Sequence, residues 1–174
     1  MMRASCLLLC VLFRFRRSVF LLLQRNGGCG GHNHCGGTCG SAPEVEDARR
    51  VAHSLGFDHH VFNYSGDFSS LVIDRFVAAY EHGRTPNPCI DCNRYMKFAE
   101  LYDAAKTLGC DVIATGHYAA IGNRDGHPVI TAATDKAKDQ SYFLYMLGED
   151  ILSRLLFPLS GMTKPEIRAI AEEL

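Results

Sequence analysis

From residue 41 onward the apolar positions recur with the periods of an ordinary α/β protein. Val45, Ala48, Val51, Ala52 and Leu55 follow helical spacing behind Pro43, a good first-turn residue, until Gly56 stops the run. His59–Tyr64 is short, apolar and aromatic, as a buried strand would be. Phe68, Leu71, Val72, Phe76, Val77 and Tyr80 mark a second amphipathic helix ended by Gly83. After a loop holding Pro86 and Pro88, a helix runs from about Arg94 to Leu108 and is closed by Gly109. Asp111–Thr115 reads as a second buried strand, and Tyr118–Ile121 with Pro128–Ala132 as a hairpin across residues 122–127. Helical patterns resume at 140–146 and 149–156, and Thr163 with Glu166 makes a capping box that opens a last helix. Strands alternating with helices predict an α/β fold with a parallel sheet and helices on its faces. Its ligand edge lies beyond the carboxyl ends of the strands, which places residues 63–66 and 115–118 together.

The first 43 residues follow other rules. Cys6–Phe13 and Ser18–Leu23 are apolar runs parted by Arg14, Arg16 and Arg17. Neither approaches the roughly 20 residues of a membrane span, and the arginines interrupt the core that a secretory signal needs. No membrane partner is expected. Residues 25–40 then hold seven of the 16 glycines, together with Cys29, Cys35, Cys39, His32 and His34. Thiolates and imidazoles could ligate a tetrahedral zinc, but ordering so glycine-rich a segment is entropically costly, and a flexible low-complexity stretch is the simpler reading. The division is therefore residues 1–43, atypical, and residues 44–174, an α/β domain.

Charge sharpens this division. The chain of 174 residues has 18 basic and 19 acidic side chains, so nucleic-acid binding cannot be argued from bulk charge and must rest on a local site. Residues 1–43 carry five arginines and no acid, whereas the remainder carries 13 basic and 19 acidic groups. Eight cysteines without a convincing export signal, two of them in a C-x-x-C, favour a reducing compartment and a cytoplasmic location.

Three segments carry chemistry. In Gly83-Arg84-Thr85-Pro86-Asn87-Pro88-Cys89-Ile90-Asp91-Cys92-Asn93, two prolines stiffen the backbone and keep Asn87 extended. Cys92 is expected at a helix start, with Arg94 and Lys97 within a turn, all of which favour a thiolate. The other readings are half of a zinc site, or an inert buried thiol of the kind assigned to Cys110. In Ala114-Thr115-Gly116-His117-Tyr118, at a strand end, glycine lets a ligand approach the backbone and His117 is expected to project from the functional edge. A structural role is equally open for that histidine. In Lys136-Ala137-Lys138-Asp139-Gln140-Ser141-Tyr142-Phe143, lysines before a polar helix start suit phosphate or RNA contact, with a solvated turn as the alternative.

Together these three segments resemble the tRNA-specific 2-thiouridylases, in order and spacing from about Glu44 to Leu174, including Leu156-Phe157-Pro158-Leu159 and Thr163-Lys164-Pro165-Glu166. The resemblance implies a Rossmann-like ATP-pyrophosphatase domain of the adenine nucleotide alpha hydrolase type. It implies that ATP, with Mg2+, adenylates the O2 of a wobble uridine in tRNA. A persulfide, charged by a sulfur-donor or relay protein, then delivers sulfur to C2, with Cys92 as the catalytic nucleophile that resolves the persulfide and leaves a disulfide bond. The resemblance also implies that Asn87, Pro88 and Cys89 contact the target base, that Gly116 lies against ATP, and that His117, Lys138, Asp139 and Gln140 face the tRNA.

The departures concern the two ends. The family opens with a strand and a Ser-Gly-Gly-Val-Asp-Ser-Ser loop whose N–H groups hold the ATP phosphates. Residues 1–43 do not reproduce it and read as the translation of a shifted frame. The persulfide cysteine and a β-barrel would follow Leu174. The chain is thus expected to be a fragment with little or no turnover, and a zinc-stabilised Cys/His binding module without catalysis is the competing reading.

Overall fold

A computed structural model describes residues 9–14, 17–24 and 42–173. Two stretches of the atypical segment, β1 (Leu9–Arg14) and β2 (Arg17–Gln24), are strands. Arginines that break an apolar run forbid a membrane helix but not a pair of strands, which need only six to eight residues each and a short connection. α1 (Ala42–Ser54) follows, then β3 (Asp58–Asn63). The next amphipathic stretch is composite: α2 (Ser65–Phe68), a π-helical turn (Ser69–Ile73) and α3 (Asp74–Glu81). α4 (Pro88–Asp91) runs through a second π-helical turn (Cys92–Lys97) into α5 (Phe98–Leu108), and β4 (Val112–Thr115) comes next. β5 (Ala120–Arg124) and β6 (His127–Thr131) form the hairpin. A single 3-10 turn (Ser141–Leu144), α6 (Glu149–Leu152), the two-residue β7 (Leu155–Leu156) and α7 (Lys164–Glu173) complete the order.

The main sheet has the order β3-β2-β1-β4-β7 and is mixed. β2 pairs with β3, and β4 with β7, in parallel, whereas β1 runs antiparallel to both β2 and β4. The expectation of a parallel sheet is met at its two flanks and corrected at its centre. Only two residues separate β1 from β2, and a link that short can join antiparallel neighbours but not a parallel crossover.

α5 supplies the largest share of the core. Phe98, Leu101, Ala104 and Ala105 recur on one face and are buried against Cys110, Ile113, Leu144, Leu152, Leu155 and Phe157. Gly109 ends α5 at φ 63°, a left-handed cap that costs a Cβ-bearing residue strain. α1 buries only Ala48 and Ala52, with Val45 and Phe57 beside them, so Val51 and Leu55 of the expected stripe stay exposed. The hairpin is tighter than its sequence implied. Asp125 and Gly126, both at positive φ, make the turn, and Asn123 Oδ1 accepts the Gly126 N–H at 3.0 Å.

The stretch read as helical over 149–156 divides into α6 and β7, because Leu155 and Leu156 find a parallel edge on β4 at Ile113 and Ala114. The capping box is present: the Thr163 N–H and hydroxyl both donate to Glu166 Oε2, at 2.6 and 2.8 Å.

Candidate functional site

The proline-stiffened loop does what its residues dictate. Asn87 is extended at φ −113° and ψ 99°, and its Oδ1 accepts the Cys89 N–H at 3.1 Å. Pro88, with φ already near the helical value and no N–H to satisfy, starts α4 at once. Consequently Cys92 does not begin a helix. Its N–H already donates to the carbonyls of Pro88 and Cys89, so the helix start expected at Cys92 lies at Pro88, where Asn87 caps the N–H of Cys89, an exposed thiol. Cys92 itself is half-buried and packs against the cluster of Phe68, Val72 and Met96. Arg94 is turned to the Tyr95 ring, 5.1 Å from its centroid, and Arg75 reaches the same ring at 4.8 Å while its Nε lies 3.4 Å from Asp91 Oδ2.

The strand-end motif divides by face. Thr115, the last residue of β4, and His117, two residues beyond it, are both buried, whereas Gly116 between them is exposed. Thr115 Oγ1 and His117 Nδ1 are 2.9 Å apart, and the imidazole lies between Phe98 and Phe157 at centroid distances of 5.6 and 6.3 Å. Burial, reinforced by the charge of Lys97, pushes the His117 pKa down to about 3. The ring is therefore neutral and only 5% exposed, turned inward and not projecting from the edge as expected. At Gly116 a Cβ would meet only Leu159 Cδ1, at 4.0 Å, which leaves the backbone open to close approach from outside.

The third motif is a hub. Gln140 donates its N–H to Tyr118 O at 2.8 Å and accepts the Tyr118 N–H on Oε1 at 3.0 Å. Asp139 accepts from Ala133 N–H at 2.8 Å and from the Ser141 hydroxyl at 2.6 Å. Burial alone would raise that carboxyl, but these bonds and Lys136 hold it below its ordinary value. Asp139 and Gln140 thus shape the turn, and Lys138 is its exposed cation. From the same turn Phe143 O accepts Asn93 Nδ2 at 2.9 Å, fifty positions away in the chain. The 138–143 segment accordingly bonds to both other motifs.

Asn93 and Asp135 were not singled out from the sequence. Asn93 is 3% exposed, one residue after Cys92, and its signal was a polar residue at helical spacing from buried Met96. Asp135 accepts the Ala137 and Lys164 N–H groups, joining the turn to the start of α7, and one aspartate in a charged run gives no such signal.

No disulfide joins Cys89, Cys92 and Cys110, so the disulfide expected of the family is not among the described residues. Among them no three His, Cys, Asp or Glu side chains converge to hold a metal, so neither Mg2+ nor zinc is assigned ligands. Cys29, His32, His34, Cys35 and Cys39 lie outside the described residues. No described helix is long and apolar enough to cross a membrane.

The mixed sheet with parallel flanks and intervening helices belongs to the Rossmann-like ATP-pyrophosphatase class of the HUP domain. Residues 13–174 match the model of the tRNA methyl transferase HUP domain, and the chain belongs to that family. The match begins some thirty residues before the point from which the motifs are legible. Similar curated proteins include the tRNA-specific 2-thiouridylase MnmA 1 of Syntrophus aciditrophicus, 48% identical over 135 residues, which are 78% of this chain and 36% of that protein. MnmA of Symbiobacterium thermophilum is 48% identical over 136 residues, covering 76% of this chain and 35% of that protein. MnmA of Chloroflexus aurantiacus is 52% identical over 134 residues, covering 76% of this chain and 37% of that protein. The family read from the three motifs is the one these comparisons return, and the chain spans little more than a third of its relatives' length.

Proposed function

We propose that this chain carries the central part of a tRNA 2-thiouridylase site, acting in ATP-dependent replacement of the wobble uridine O2 by sulfur. The observation that carries this reading is the hydrogen-bonded chain Cys92–Asn93···Phe143 and Gln140···Tyr118, which ties the thiol-bearing helix to the strand end. Asn87, Pro88 and Cys89 form the rigid rim against which the target base would rest. Gly116 would receive ATP, whose chemistry is to convert a poor oxygen leaving group into AMP. Lys138 would face the RNA backbone, with Asp139 and Gln140 setting its turn and neutral His117 setting the strand end from inside. Cys92 is the residue assigned to attack the inner sulfur of a persulfide carried on a second cysteine of the enzyme: the outer sulfur bonds C2 as AMP leaves, the S–S bond breaks, and a disulfide between Cys92 and that cysteine remains, the thiolate being the attacking species in such exchange. The sulfur would come from a donor or relay protein.

The test is competitive alkylation read by mass spectrometry on the chain with and without tRNA and ATP. Cys92 should react faster than buried Cys110 and be protected when both ligands are added, and Cys92→Ser should remove that signal alone. A Cys92 as slow as Cys110, or unprotected in a demonstrated complex, overturns its role. With a sulfur donor present the chain should form little or no 2-thiouridine, and ready accumulation would contradict the expected impairment.

A further inference from the structure

The 3-10 turn presents two tyrosines that the reading above does not use. Tyr142 and Tyr145 are 64% and 67% exposed, among the most exposed of the large hydrophobic side chains described. They stand three residues apart, so a 3-10 turn brings them to one side, and their ring centroids are 6.2 Å apart. The turn that carries them is rigidly seated. Leu144 between them is fully buried, Phe143 O is bonded to Asn93, and Gln140 is bonded twice to Tyr118. Burying the rings inside the described fold would release apolar surface from water, yet the anchored backbone holds them outward. They also border a groove whose opposite wall is Pro128 and Ile130 of β6.

Position decides what such a pair is for. Residues of the turn approach those of α4, Pro88–Asp91, within 8 Å between Cα atoms, beside the rim assigned to the target base. Lys136 and Lys138 are exposed on the segment leading into the turn, so cations for phosphates flank the aromatic surface. An enzyme that modifies a base must take it out of its stack. Extruding one base strips a neighbour of half its stacking, and aromatic rings are what proteins offer unstacked bases in place of that contact.

We propose that Tyr142 and Tyr145 form a stacking platform for an RNA base adjacent to the modified uridine. This rests on the tRNA reading of the same site and adds a subsite to it. Tyr142 carries the stack, and Tyr145, whose ring is tilted 42° from that of Tyr142, closes one side of it. The hydroxyl groups are dispensable because a π-face serves any base.

The chain contains no tryptophan, so Tyr142→Trp introduces a single indole reporter. Binding of a fluorescently labelled anticodon stem-loop with wobble uridine is measured by anisotropy for the full chain and its variants. Tyr142→Ala and the double variant with Tyr145→Ala should bind about tenfold or more weakly, by the cost of losing a base stack. Tyr142→Phe should bind like the parent, and the indole of Tyr142→Trp should be quenched as the complex forms. If the parent binds but the double alanine variant binds equally well, or the indole emission is unchanged at saturation, the platform is wrong and the tRNA reading stands. If the parent does not bind at all, the tRNA reading fails and takes the platform with it. Should the alanine variants not fold, the phenylalanine and tryptophan variants decide the matter.

Discussion

At the scale of single residues, two buried polar groups account for the site's shape. Asn93 gives one hydrogen bond to Phe143 O, while its own Oδ1 is buried without a partner among the described residues. Asn93→Ala would strand the Phe143 carbonyl, and an unsatisfied buried acceptor costs about 1–3 kcal/mol. Urea unfolding should show a loss of that size. His117 behaves oppositely with pH. Its folded pKa, about 3, lies below the unfolded value of 6.5, so between these the unfolded chain holds the extra proton. Stability from this group is complete above 6.5 and falls as pH drops toward 3, by up to about 1.4 kcal/mol per pH unit. Thermal midpoints from pH 7 to pH 5 should fall in the parent and fall less in His117→Gln. The type of residue at both positions was visible in the sequence, but its environment was not. His117 lies two residues past the end of β4, and whether its side chain meets solvent or Phe98 depends on where α5 packs.

Among the elements, the starts and stops were the most legible features. Gly109 and Thr163 with Glu166 each act through bonds to neighbours one to four residues away, so local chemistry is enough to read them. The two π-helical turns were not legible, since they differ from α-helix by one residue per turn and follow from packing. The start of α7 also depends on a distant residue, because Asp135 Oδ2 accepts the Lys164 N–H at 2.9 Å. Asp135→Ala should cost about 1 kcal/mol as a lost cap. It should raise the hydrogen-exchange rates of the Ala137 and Lys164 amides while leaving those of α5 unchanged. Slow exchange at both amides in the variant would show that the cap contributes nothing.

For the whole molecule, the order of the sheet sets the division between stable frame and site. β1 and β2 lie between β3 and β4, so Leu9–Arg14 and Arg17–Gln24 hold the two flanks together despite the unusual composition around them. Deleting residues 1–24 should abolish the cooperative urea transition, since β3 would lose its only strand partner in this sheet and β4 would keep only the two-residue β7. A truncated chain that still unfolds in one sharp step would show these strands to be dispensable.

Spacing and residue type alone determined the family, the three motifs, the helix caps and the hairpin, because each is a relation between residues close in sequence. Packing alone decided the antiparallel pairing of β1 with β4, the inward turn of His117 and the Asn93–Phe143 bond. Those relations join residues from distant parts of the chain or depend on which surface is covered, and no local pattern encodes what will lie against a side chain.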